Sequence, residues 1–160
     1  MSSPASIKKH PLHPMLVGFP IGLWVFALIC DNIASTGAAG PWRTVAFYSM
    51  VGGTVGAVIA AVPGLIDYFS IDEADMKRIA TFHLVASVCA LLLFAVNLWC
   101  RLTLRPTSAI PLVLSIIGVV GIGIGGWLGG EMVYVKGMAV EAVEKSAKKV
   151  EEQPRLRRVG

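Results

Sequence analysis

The sequence predicts an all-α integral membrane protein, a four-helix bundle with an amphipathic C-terminal tail. Hydrophobic residues make up 55% of the chain and charged residues only 15%, and the mean hydropathy is +0.70. Soluble domains carry roughly 25% charged residues, so this composition cannot cover an apolar core with a polar shell. The apolar residues are also gathered into four segments, each long enough to cross about 30 Å of hydrocarbon. We therefore expect the lipid bilayer to surround most of the chain.

The first two predicted spans cover residues 14–33 and 43–66, and each contains an internal proline. Pro20 should kink the first helix or free one of its carbonyls, because proline has no backbone N–H. The pair Pro63-Gly64 predicts the end of the second helix. Small residues recur every four positions along the second span, and such a row lets another helix approach closely. The row consists of Gly52, Gly56, Ala60 and Gly64.

The third and fourth predicted spans cover residues 79–100 and 106–130. The polar connection before the third span, residues 67–78, is long enough for a short surface helix. The fourth span carries a second row of glycines four positions apart, at Gly121, Gly125 and Gly129. We expect this row to pack against the small-residue row of the second span.

The remaining segments are polar and lie at the two ends of the four-span domain, which we assign to residues 10–135. Residues 1–9 are predicted to be disordered. Residues 136–160 form a charged, amphipathic tail that could lie on the membrane surface or pair with another tail in a homo-oligomer. The basic residues sit at helix ends and in the tail rather than in one long stripe, so we expect no nucleic-acid partner.

Four spans place both termini on the same side of the membrane. Eleven Lys and Arg residues then fall on that side, and three fall on the other, namely Arg43, Arg101 and Arg105. Because basic residues favour the cytoplasmic side, this count predicts a multi-pass protein of the bacterial inner membrane with both termini in the cytoplasm.

The histidines are the main candidates for chemistry, because ionisable residues within a membrane segment are costly and commonly functional. His10 and His13 lie at the start of the first span, and His83 lies about one turn into the third. The four-span topology brings these three residues to one membrane face. Asp67 and Glu131 are expected at the same face.

One hypothesis is that two imidazoles from His10, His13 and His83 bind a haem b, for electron transfer with a redox partner or membrane complex. The alternative ligand set combines these histidines with Asp67 and Glu131 around a transition metal. In the haem case the two carboxylates are candidate hydrogen-bond acceptors that orient the imidazoles.

Two further hypotheses remain open from the residues alone. His83, Asp67 and Glu131 could relay protons or ions toward Asp31 and Asn97, which fall near the opposite face. The chain could instead be a non-catalytic membrane subunit or scaffold that recruits a partner. Whether the protein is an enzyme is left open, although no serine or cysteine stands with a histidine in a recognisable catalytic arrangement.

Several motifs resemble those of a bacterial family of four-helix integral membrane proteins of unknown function. The most specific is the N-terminal His10-Pro11-Leu12-His13-Pro14, and the resemblance covers about residues 10–137. Other matching pieces are Pro63-Gly64-Leu65-Ile66-Asp67-Tyr68, His83, Asn97 and Gly129-Gly130-Glu131-Met132-Val133-Tyr134. The resemblance implies the fold and the membrane location. Some relatives are joined to Rieske-type iron–sulfur domains, which favours a redox role, although this chain has no Cys-x-His pair for such a cluster.

Overall fold

Four long helices dominate the structure, a computed structural model that describes residues 3–8, 10–37, 39–105 and 108–138. They are α1 (Leu12–Ser35), α2 (Ala39–Phe69), α3 (Ala74–Thr103) and α4 (Ile110–Gly130), and a π-helical turn (Glu131–Val135) follows α4. All four helices are long and apolar enough to cross a membrane. Large apolar side chains such as Phe19, Val62 and Leu92 are exposed on the outside of the bundle, where they contact lipid. The predicted fold class is confirmed.

The bundle is built from two helical hairpins, with α1 packed chiefly on α2 and α3 packed chiefly on α4. The two small-residue rows therefore do not face each other, and our expectation of a contact between the second and fourth spans was wrong. The α2 row accommodates side chains of α1, and the α4 row faces Ser87 and Ala90 of α3. Each glycine row therefore serves its own hairpin.

Helix α2 does not end at Pro63-Gly64, as the sequence predicted, but continues to Phe69. Proline is tolerated within membrane helices because neighbouring groups can satisfy the freed backbone carbonyl. The connection to α3 is correspondingly short, and it contains no separate surface helix. The Ser70 hydroxyl donates to the Asp67 carbonyl (2.7 Å), which satisfies one of the last carbonyls of α2.

The structure describes residues 3–8 of the N-terminal segment, for which the sequence predicted disorder over residues 1–9. Strands β1 (Ser6–Ile7) and β2 (His10–Pro11) form a small antiparallel hairpin. The buried Asp67 carboxylate accepts hydrogen bonds from the Ser3 hydroxyl (2.7 Å) and the Ala5 N–H (3.1 Å). These charge-assisted bonds hold the segment against the end of α2. The predicted C-terminal tail lies outside the described residues beyond position 138.

The core lies midway along the bundle, where the rings of Trp24 and Phe94 stack with centroids 4.1 Å apart and planes at 11°. Glycines of the neighbouring helices make room for both rings. A Cβ at Gly53 would lie 2.7 Å from the Trp24 ring, and a Cβ at Gly118 would lie 2.6 Å from the Phe94 ring. Each hairpin thus inserts one aromatic ring against a glycine of its own second helix.

Candidate functional site

The structure brings His13 and His83 together near one end of the bundle. His13 is the second residue of α1, and His83 lies in the third turn of α3. Their ring centroids are 6.0 Å apart, and the ring planes are nearly perpendicular, at 89°. Both rings are partly buried between helices. This histidine pair is the strongest candidate site among the described residues.

Each imidazole is held by a hydrogen bond to a backbone carbonyl. His13 Nδ1 lies 2.8 Å from the Ala60 carbonyl of α2, and His83 Nδ1 lies 2.8 Å from the Gly125 carbonyl of α4. A carbonyl can only accept a hydrogen bond, so Nδ1 must carry the proton in both rings. In the neutral imidazole, Nε2 then keeps its lone pair and is free to bind a metal or accept a proton.

Two glycines, each one turn beyond an acceptor carbonyl, allow the rings to lie against α2 and α4. A Cβ at Gly64 would lie 2.7 Å from His13 Nδ1, which is closer than real Cβ contacts allow. A Cβ at Gly129 would lie 3.3 Å from the His83 ring, which is closer than most Cβ contacts but less severe than the contact at Gly64. The glycine rows thus leave room for both histidine rings in addition to allowing close contact between helices.

The two hairpins repeat this arrangement at the same spacing. Trp24 follows His13 by eleven residues, as Phe94 follows His83, and Gly64 follows Gly53 by eleven residues, as Gly129 follows Gly118. α1 and α3 run in the same direction, so the hairpins are related by an approximate twofold axis along the bundle. Our sequence reasoning missed this internal repeat. The signal was present in the two equal His-to-aromatic and Gly-to-Gly spacings.

The other residues proposed from the sequence lie elsewhere at this end of the bundle. His10 lies in β2, where its Nδ1 bonds to the Lys8 carbonyl (3.0 Å) on the exposed side. Asp67 binds the N-terminal segment, and Glu131 begins the π-helical turn. Within the described ranges, no three His, Cys, Asp or Glu side chains are grouped so that they could hold a metal ion.

The acceptors that orient the imidazoles also differ from the expected carboxylates. We expected Asp67 and Glu131 in this role, but the structure uses the carbonyls of Ala60 and Gly125. The reason is steric, because the missing side chains at Gly64 and Gly129 let the rings reach the helix backbone directly. A helix carbonyl serves this purpose as well as a carboxylate does.

A second polar cluster lies at the opposite end of the bundle. Arg101 forms an ion pair with Asp31, with Nη1 2.9 Å from Oδ1, and the two side chains are only 10% and 9% exposed. Arg101 Nε also donates to Asn97 (2.9 Å), and Asn97 donates to the Ser115 hydroxyl (2.9 Å). The sequence placed Asp31 and Asn97 near this face but gave no indication that Arg101 joins them. Arg101 stands in α3 at the position that Asp31 occupies in α1.

A family model matches residues 9–142, and its description is "Predicted membrane protein (DUF2231)". The chain belongs to this family. The matched range of the DUF2231 domain includes His13, His83 and the ion pair of Asp31 with Arg101. It also includes the four glycines that lie against aromatic or imidazole rings, namely Gly53, Gly64, Gly118 and Gly129. Comparisons with curated proteins and with solved structures give no significant match. The match confirms the resemblance and the membrane character that the sequence predicted.

Proposed function

We propose that this DUF2231 protein is a membrane-bound one-electron carrier that holds a haem b between His13 and His83. The observation that carries the proposal is the close approach of the two rings, with centroids 6.0 Å apart and each Nδ1–H bonded to a helix carbonyl. Histidine ligands of metals almost always donate their second ring nitrogen in this way, which fixes the ring orientation and the tautomer. Among the described residues, Nε2 of neither ring has a hydrogen-bond partner within the protein.

The separation of the rings supports a shared iron. Metal–imidazole distances are about 2.0–2.1 Å, so two imidazoles that share one metal must have ring centres within roughly 6 Å of each other. The observed distance between the centroids is 6.0 Å. The ring planes are perpendicular, so the two imidazoles do not stack on each other.

The number of ligands favours haem over a bare metal ion. A structural zinc site takes four protein ligands, whereas a haem supplies four nitrogens of its own and needs at most two ligands from the protein. The described part of the chain brings two imidazoles together and offers no third ligand of the His, Cys, Asp or Glu type beside them.

The bound haem would supply a one-electron couple between a donor and an acceptor. The chain's own residues have the simpler roles of binding and shielding. His13 and His83 would hold the haem iron, and the carbonyls of Ala60 and Gly125 would fix the tautomers of the two rings. The Trp24 and Phe94 rings would keep the interior dry. We expect the redox partner at the histidine end of the bundle.

Proton or ion conduction has less support from the packing. The histidine pair and the Asp31–Arg101 cluster lie at opposite ends, and the core between them contains the buried side chains of Trp24, Met50 and Phe94. A proton path through this layer would need polar groups or water.

The test is the absorption spectrum of the protein purified in detergent from haem-replete cells, before and after reduction. We expect a Soret band and a sharpened α-band on reduction, both lost in His13→Ala and in His83→Ala. His10→Ala is the matched control and should keep the spectrum, because His10 lies in β2 and bonds to the Lys8 carbonyl. Added imidazole should restore part of the band in His83→Gly, which separates ligand loss from misfolding. A colourless, iron-free wild-type protein would overturn the proposal and favour a non-catalytic membrane subunit.

A further inference from the structure

A cleft of about 770 Å³ lies at the end of the bundle opposite the histidine pair. Its walls come from the ends of α1 and α3 and the beginnings of α2 and α4. The buried ion pair of Asp31 with Arg101 forms part of its lining. The cleft is independent of the haem proposal, because it shares no residue with the histidine site.

The cleft is lined by more basic than acidic residues. All three basic residues that the sequence places on this side of the membrane, Arg43, Arg101 and Arg105, line the cleft, against a single acid, Asp31. The Arg101 guanidinium is already bonded to Asp31, Asn97 and Ser115. Its charge is therefore neutralised and its position fixed.

The other two arginines supply the net positive charge. Arg43 lies in the second turn of α2, whereas Arg105 lies just after the end of α3, in the connection to α4. Among the described residues, neither forms an ion pair. Guanidinium groups bind phosphate through paired hydrogen bonds, and two of them suit one phosphate group. The Ser108 and Tyr48 hydroxyls in the same lining could donate further bonds.

The lining also contains large apolar side chains beside the arginines, namely Phe47, Leu102, Leu104 and Leu112. Leu102 is 70% exposed and continues the outer surface that contacts lipid. A free inorganic anion would make no use of such walls, whereas a lipid would place its phosphate on the arginines and its glycerol and chains against the leucines. We propose that this cleft binds the phosphate group of an anionic phospholipid.

The experiment measures phospholipid retention by the full-length protein in detergent, using native mass spectrometry after incubation with phosphatidylglycerol or phosphatidylcholine. We expect wild-type protein to retain phosphatidylglycerol preferentially. The double variant Arg43→Gln/Arg105→Gln should retain it about tenfold less, since each lost guanidinium removes a charge-assisted contact with the phosphate. Arg78→Gln/Lys136→Gln, which removes two exposed charges at the histidine end, is the matched control and should retain as much lipid as the wild type.

Three results would overturn the proposal. The first is equal retention of lipid by the double variant and the wild type. The second is an equal loss in the matched control, which would indicate a general effect of net charge. The third is complete displacement of phosphatidylglycerol by millimolar inorganic phosphate, which would identify the site as one for the free anion. The absorption spectrum of the double variant should equal that of the wild type, so a failure here is distinct from a failure of the haem proposal.

Discussion

The two helical hairpins use one plan but differ where they meet. Each places a histidine, then an aromatic ring, on its first helix and two glycines eleven residues apart on its second. At the histidine end, the equivalent residues His13 and His83 are identical. At the other end, the equivalent residues are Asp31 and Arg101, which carry opposite charges and form an ion pair.

This difference shows that two equivalent halves can form an ion pair with each other only where their sequences differ. Identical residues at equivalent positions across an approximate twofold axis give a pair of like side chains, as at His13 and His83. Identical charged residues in the same relation would repel each other, and the cost is high where both are buried. Opposite charges at Asp31 and Arg101 therefore fix α1 against α3 in a way that an exact repeat could not.

The largest expected effect comes from breaking this ion pair. Asp31→Ala leaves the Arg101 charge buried without its partner and should lower the free energy of unfolding by about 3–5 kcal/mol. The measurement is chemical unfolding in mixed micelles, with the exposed Asn32→Ala as the control one position away.

A charge-exchange variant tests whether positions 31 and 101 are equivalent in the two hairpins. The exchange Asp31→Arg/Arg101→Asp should recover much of the lost stability if the two positions are equivalent across the axis. If the exchanged protein is as unstable as Asp31→Ala, the equivalence of these positions is wrong.

An intermediate effect is expected at the glycines beneath the aromatic stack. Gly53→Ala and Gly118→Ala should each destabilise by about 1–3 kcal/mol, because a Cβ would meet the Trp24 or Phe94 ring below 3.0 Å. The two losses should be similar, since the closest distances are 2.7 and 2.6 Å.

Gly22→Ala and Gly123→Ala are the matched controls for this pair of variants, because neither Cβ would meet another atom within 4 Å. They should be neutral or stabilising by up to about 1 kcal/mol, owing to the higher helix propensity of alanine. Markedly unequal losses at Gly53 and Gly118 would show that the two halves are packed differently.

The smallest effect is expected at the glycines beside the histidines, and here the halves should differ. Gly64→Ala should cost about 1–2 kcal/mol, since its Cβ would lie 2.7 Å from His13 Nδ1, where the hydrogen bond to Ala60 forms. Gly129→Ala should be near neutral, because a 3.3 Å contact needs only a small shift of the His83 ring, and helix propensity offsets its cost.

Unfolding in micelles measures both of these variants, and titration of purified protein with haemin measures the consequence for the proposed site. Gly64→Ala should weaken haemin binding more than Gly129→Ala does. Equal behaviour of the two variants would contradict the distances on which this prediction rests.

The sequence predicted the four spans well, because crossing a bilayer requires a minimum length of apolar helix and that requirement is local. It also predicted correctly that His13 and His83 lie at one face, because consecutive spans alternate in direction and the first and third spans therefore begin on the same side. It was wrong about the end of α2, because neighbours within a membrane bundle compensate for the N–H that Pro63 lacks. The sequence could not predict how each helix is rotated about its own axis. Each helix is apolar on all sides, so the pattern of apolar residues does not show which side faces the other helices.

The sequence by itself thus determined the number of helices, their membrane character and the end of the bundle where the histidines gather. The tertiary structure decided that His13 rather than His10 faces His83, and that helix carbonyls rather than Asp67 and Glu131 orient the rings. It also decided that Arg101 pairs with Asp31, 70 residues earlier in the chain. The physical reason is that the hydropathy of a span depends only on residues that are neighbours in sequence. These contacts depend instead on how separate helices are rotated about their axes and how closely they pack at the glycines.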